Sequence, residues 1–164
     1  MTQTIRHASA ADAEAICQIY NHYVATTHIS FEEAPVAVAE MAQRIGDVSA
    51  RLPWLVLEQG GQLLGYAYAT PWRVRSAYRF SVESSVYVSP QHGRRGIGAA
   101  LYQALIAALR TRGIRVVLGG IAQPNAASVA LHEHMGFQKV AHFNEVGYKF
   151  GQWIDVGYWE LSLA

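Results

Sequence analysis

The chain has 164 residues, 51% of them apolar, enough for one domain folded around one core. Its 13 basic and 12 acidic residues leave a net charge of +1, which gives no bulk attraction for a nucleic-acid polyanion. The one cysteine, Cys17, excludes an intrachain disulfide; no stretch approaches the ~18 uninterrupted apolar residues of a membrane span, and the N-terminus lacks a basic-then-apolar signal pattern, so the expected compartment is the cytoplasm.

Residues 4–6 suit a short edge strand. Ser9 followed by Asp12 has the spacing of a capping arrangement, and Ala13, Ile16, Cys17, Ile19 and Tyr20 then recur at helical intervals. A second helix is predicted over 36–46, after Pro35. Residues 54–58 read as a strand, and Gln59-Gly60-Gly61-Gln62 turns the chain into a second strand over 63–70, which Pro71 ends. The connection Trp72-Arg73-Val74-Arg75-Ser76-Ala77-Tyr78-Arg79 is rich in arginine and aromatics. A strand over 80–88, a helix over 98–112 stopped by Gly113, a strand over 115–121 and a helix over 126–135 follow. Gly136 precedes a short strand over 137–140, and the aromatic tail 153–161 favours a last strand. With no repeat or linker in view, residues 1–164 are expected to form one domain of the α/β class, a mixed α+β sheet with antiparallel hairpins flanked by helices.

The segment from Glu83 to Ala99 carries the strongest functional signal. A strand ending Val86-Tyr87-Val88 runs through Gly93-Arg94-Arg95-Gly96-Ile97-Gly98 into an apolar helix. Unpaired amides at a helix N-terminus, the positive end of its dipole and two guanidiniums suit a pyrophosphate. The pattern is neither a Walker loop nor a dinucleotide fingerprint, since GxxxxGK[ST] and GxGxxG are both absent. No metal site is expected: HExxH is absent, and His132 and His134 stand two apart.

The glycine turn with its preceding arginines resembles the acyl-CoA loop of the GNAT N-acetyltransferases. Further matches are Asn21-His22-Tyr23, Pro71-Trp72, Arg75, Ala77-Tyr78, Val82-Glu83-Ser84, Val86-Tyr87-Val88-Ser89, Pro124-Asn125, His132-Glu133, Gly136-Phe137 and Gly151-x-Trp153-x-Asp155-Val156-Gly157. These resemble the phosphinothricin and methionine sulfoximine acetyltransferase branch, in order along nearly the whole chain. The resemblance implies an acyl-CoA N-acyltransferase fold with a mostly antiparallel sheet, acetyl-CoA as co-substrate, a small amino-acid acceptor and a homodimer. It implies that Val86, Tyr87 and Val88 hold the pantetheine arm. Arg94, Arg95, Gly96, Ile97, Gly98 and Ala99 would form the pyrophosphate loop, and Asn125 would contact the cofactor. Arg73, Arg75 and Tyr78 would shape the acceptor pocket, with Glu83 beside them as general base. Gly93 departs from the Arg or Gln common in the broader family, whereas His132 agrees with this branch where the broader family often has Tyr.

Acetyl transfer to an amine needs a proton acceptor, aligned reactants and a donor for the carbonyl oxygen. Glu83 suits the first role, and a backbone amide such as that of Val88 suits the last. His132 is a candidate proton donor to the departing thiolate. Asn125 fits equally a helix N-cap, and the two roles are compatible. Arg73 and Arg75 offer a clamp for an acceptor carboxylate, and Phe31 and Tyr148 are aromatics available to shape its pocket. Cys17 lies too far along the chain to suggest an acyl-enzyme. Other readings of the same residues are acetylation of a peptide N-terminus or another amine, and a non-catalytic acyl-CoA-binding protein.

Overall fold

Runs such as Trp54-Leu55-Val56-Leu57 place apolar side chains on both faces of a strand, which requires cover on both sides. The computed structural model, which describes residues 1–164, meets that demand with seven strands and four helices. The strands are β1 (Gln3–His7), β2 (Trp54–Gln59), β3 (Gln62–Pro71), β4 (Ser81–Val88), β5 (Val116–Ala122), β6 (Gln138–Lys149) and β7 (Gln152–Ser162). They form one sheet in the order β1-β2-β3-β4-β5-β7-β6. Every pairing is antiparallel except β4 with β5. The helices are α1 (Ala13–Thr26), α2 (Val38–Ser49), α3 (Ile97–Thr111) and α4 (Ala126–His134).

Alternation along β2 divides its apolar run between two cores. Leu55 and Leu57 join Leu101, Tyr102, Leu105 and Leu109 of α3 on one face of the sheet. Trp54 and Val56 join Ile16, Tyr20 and Val24 of α1 and Met41 and Ile45 of α2 on the other. Each such side chain, fully buried, contributes about 1.5–3 kcal/mol.

The start of α1 shows how sequence pattern becomes anchored structure. Asp12 accepts the Ser9 N–H at 2.8 Å and a bidentate pair from Arg6 at 2.8 and 2.9 Å. The expected capping box is therefore present, and it also ties α1 to strand β1.

Three of the differences from the expected boundaries have a local cause. Helix α2 starts at Val38, because Val36 is buried in the preceding loop with its N–H and C=O both bonded to Asn21. Helix α3 starts at Ile97, with Gly96 at its cap in the left-handed region at φ 73°, which favours glycine. Strand β6 continues to Lys149 and pairs with β7 across an irregularity between Phe143 and Gly147. Only Gly147 and Lys149 of β6 are buried, so it lacks the in–out alternation that marks a strand in sequence.

Candidate active site

Strands β4 and β5 stay paired only from Ser81 opposite Val116 to Glu83 opposite Leu118. Beyond Glu83 they diverge, while β4 remains bonded to β3 as far as Val88 and β5 to β7 as far as Ala122. The result is a fork in the middle of the sheet. Ser89 N–H bonds to Leu64 O on the β3 side at 2.8 Å, whereas Phe80 O accepts Arg115 N–H on the β5 side at 2.8 Å. The period of two then turns the backbone groups of Ser84, Val86 and Val88 into the fork. Val88 O accepts the Tyr23 hydroxyl, and the same period points Val88 N–H into the fork. An exposed strand edge of this kind accepts an extended ligand as an extra strand.

At the open end of the fork lies a cleft of about 390 Å³. Val86, Tyr87, Val88, Arg94, Gly96, Ile97, Gly98, Ala99 and Asn125 all line it, whereas Arg95 does not. The first bond of α3 runs from Ala100 N–H to Gly96 O, leaving the amides of Ile97, Gly98 and Ala99 free. They are the orphan donors of a helix N-terminus, aligned with its positive pole. Gly98 has a packing reason to be glycine, since a Cβ there would stand 3.1 Å from Leu131 of α4. Asn125 Oδ1 caps α4 by accepting Ser128 N–H at 3.1 Å, and its amide nitrogen is free beside the cleft.

At the closed end Glu83 lines a second cleft of about 500 Å³ with Tyr20, Ile29, Ser30, Phe31, Glu32, Tyr87, Gly120, Ala122, Val156 and Tyr158. Burial pushes the Glu83 carboxyl above its usual range, opposed by the nearby Tyr158 hydroxyl and by the charge of Arg73. Gly120 makes room for this pair, since a Cβ there would lie 3.2 Å from Glu83 Oε1 and 3.1 Å from the Tyr158 ring. Glu32, the other carboxylate, is held low by its hydrogen bonds with Arg44. Two carboxylates in one cleft are thus driven apart, one toward proton exchange and one toward permanent charge.

A small gap of about 60 Å³ shares Ile29 and Tyr87 with both clefts, Asn125 with the first and Ala122 with the second. His132 borders it but is 4% exposed, with Nδ1 2.7 Å from Ser128 O and Nε2 2.7 Å from the Tyr102 hydroxyl. A carbonyl only accepts, so Nδ1 carries the proton, Nε2 accepts from Tyr102, and the Tyr102 oxygen accepts from Ser84 at 2.9 Å. Burial also lowers the His132 pKa, which keeps the ring neutral. In this arrangement the single N–H of His132 is held by its own helix, and its other nitrogen faces the Tyr102 hydroxyl.

Arg73, Arg75 and Tyr78 lie on the exposed connection between β3 and β4, and none lines the second cleft of the chain. Arg73 stacks on Trp72, 4.6 Å from the ring centroid, and is near enough to bias Glu83. Phe31 lines the cleft, whereas Tyr148 is exposed against Trp153. Cys17 is buried against Val36 O and its thiol is pushed up, so it is no nucleophile. Sequence reasoning missed Glu32, Tyr158 and the Ser84–Tyr102 pair; their spacing carries no pattern, and only the fold gathers them.

The family description "Acetyltransferase (GNAT) domain" matches residues 5–157. The chain belongs to the GNAT acetyltransferase family. Among its relatives, the phosphinothricin N-acetyltransferase of Streptomyces viridochromogenes is 42% identical over 156 residues, 95% of this chain and 85% of that protein. The L-methionine sulfoximine/L-methionine sulfone acetyltransferase of Salmonella typhimurium is 40% identical over 164 residues, 98% of this chain and 94% of that one. A GNAT phosphinothricin acetyltransferase from Sinorhizobium meliloti, solved in complex with acetyl-CoA, superposes with a TM-score of 0.95 at 37% identity, covering 100% of this chain and 90% of that one. The seven-stranded forked sheet is thus the fold of this GNAT protein's solved relatives.

Proposed function

We propose that this GNAT enzyme moves acetyl from acetyl-CoA to the α-amine of a small amino acid, with L-phosphinothricin, L-methionine sulfoximine and L-methionine sulfone the first acceptors to test. The observation that carries the proposal is Glu83, half-buried at the fork between the two clefts with Arg73 in electrostatic range. An α-amino acid presents an ammonium and a carboxylate on one carbon, and this pairing of opposite charges complements both.

The groups in the open cleft fit the co-substrate. The free amides of Ile97, Gly98 and Ala99 and the Arg94 guanidinium suit the pyrophosphate; the free edge of Val86 and Val88 and the Asn125 amide suit the pantetheine amides. Acetyl-CoA supplies an activated acyl group as a thioester. Glu83 takes the proton from the acceptor ammonium, directly or through a water, and Val88 N–H is the donor available to a carbonyl oxygen held in the fork. Tyr102, held by His132 and Ser84, is one of the hydroxyl-bearing residues that border the gap. Arg75 and Tyr78 remain candidates for the acceptor's outer end. The same reading makes the chain one catalytic domain, acting as a cytoplasmic homodimer and able to confer resistance where its acceptor is toxic.

Free-thiol release from acetyl-CoA, run against those three acceptors, common amino acids and a short peptide, tests the proposal. Selective turnover of the three is expected, with Glu83→Gln lowering kcat/KM by ~10²–10⁴-fold while acetyl-CoA binding persists. Turnover of the peptide alone, or undiminished turnover by Glu83→Gln, would overturn it.

A further inference from the structure

Lys149, at the end of β6, is a buried cation far in sequence from the catalytic strand. It is 1% exposed, and its ammonium donates to three carbonyls, Val24 O at 2.8 Å, Thr27 O at 2.8 Å and Ser30 O at 2.6 Å. Three donors meet three acceptors, so the group is fully satisfied without a direct carboxylate partner. Val24 O belongs to the last turn of α1, where a positive charge also complements the helix dipole. The other two carbonyls belong to the loop that follows α1.

That loop forms one wall of the proposed acceptor cleft. Ile29, Ser30, Phe31 and Glu32 all line it, and Ile29 lines the gap and the cofactor cleft as well. A second contact from β6 holds the same loop: the Phe31 ring occupies the space a side chain on Gly147 would need. From the other side, Tyr20 bonds to Ser30 at 2.8 Å and also to Glu32, while Arg44 pairs with Glu32. The wall is therefore stretched between the helices and the end of the β6–β7 hairpin, and Lys149 is its attachment on the hairpin side.

We propose that Lys149 is a positioning residue for acceptor selection. It pins residues 27–30 by their carbonyls and so sets how close Phe31 and Glu32 stand to the amine bound at Glu83. This rests on the reading of the Glu83 cleft as the acceptor site. An apolar residue at 149 of equal length would fill the space yet leave three carbonyls without a donor, so the loop would lose its geometry while the sheet kept its packing.

The test is Lys149→Met, with amide hydrogen exchange and steady-state kinetics on the full chain. Exchange protection over residues 27–33 is expected to fall at least tenfold, with α3 and β4 unchanged and acetyl-CoA Kd within threefold of wild type. KM for L-phosphinothricin should rise at least tenfold, with kcat changing by less than threefold, and discrimination between it and bulkier amino acids should narrow. Unchanged loop protection, a loosened loop with unchanged acceptor KM, or a uniform loss of protection along the chain would each overturn the proposal. If Lys149→Met does not fold, Gly147→Ala displaces Phe31 from the same wall and must raise acceptor KM selectively; failure to do so is equally decisive. If wild type turns over no amine at all, the acceptor-cleft reading fails, and exchange at residues 27–33 still judges the clamp on its own.

Discussion

Glu83 shows how one position acquires chemistry from its surroundings. Strand register places it at the last pair before β4 and β5 part, so its carboxyl loses water to the fold yet keeps an opening into the cleft. Burial raises its pKa, while Tyr158 and Arg73 hold the rise in check. A base must be ionised to accept a proton, so kcat/KM should climb as pH passes upward through the Glu83 pKa. Tyr158→Phe removes a hydroxyl whose interaction with Glu83 favours the ionised form. The acidic limb of the kcat/KM profile should therefore move to higher pH in that variant, with the rate recovering on the alkaline side; an unmoved or lowered limb would show that Tyr158 does not govern Glu83. Glu83 itself was legible in the sequence from its place upstream of the glycine turn. Tyr158 was not, because it lies 75 positions further on and meets Glu83 only where β5 carries Gly120 between them.

At the scale of elements, short-range patterns were read well and long-range closure was not. The capping pair Ser9 and Asp12 was visible, but the Arg6 guanidinium that makes Asp12 bidentate comes from β1 and needs the strand in place. That contact lowers the Asp12 pKa, chiefly through the Arg6 hydrogen bonds. The carboxylate thus contributes stability that is full above its unfolded value of ~3.9 and is lost as pH falls through the lower folded value. Asp12→Asn should reduce unfolding free energy at pH 7 by about 1–3 kcal/mol in urea titration, and that difference should shrink toward pH 2. A constant difference across pH would place the loss in packing and not in charge. Helix α3 was readable from its apolar period and its glycines, although Gly98 proved to serve contact with α4 as much as access to the cleft. Strand β6 carries no period of two to detect, because nearly all of its residues are exposed, apolar Val140, Phe143, Val146 and Tyr148 included, and its register is irregular.

Over the whole molecule, six of the thirteen exposed large apolar side chains belong to one hairpin. Val140, Phe143, Val146, Tyr148, Phe150 and Trp153 all belong to the β6–β7 hairpin or its turn, and Trp153 is 66% exposed. A patch of that kind on a small protein marks a surface meant for cover. With a homodimer as the proposed state, Trp153→Glu should shift the chain toward monomer in sedimentation while leaving the far-UV spectrum of the fold intact; a monomeric wild type would remove the basis for that assembly.

What could be known before folding was local: helical periods, turn glycines, a glycine–arginine loop leading into a helix, and a glutamate on the strand before it. Those signals arise within a few residues, where backbone sterics and side-chain spacing act directly. The fork between β4 and β5, the neutral His132 locked by Tyr102 and Ser128, the opposed environments of Glu32 and Glu83, and the Lys149 clamp belong to the tertiary structure. Each depends on desolvation and on contacts between residues far apart in the chain, and such terms take their sign and size only when the sheet has closed.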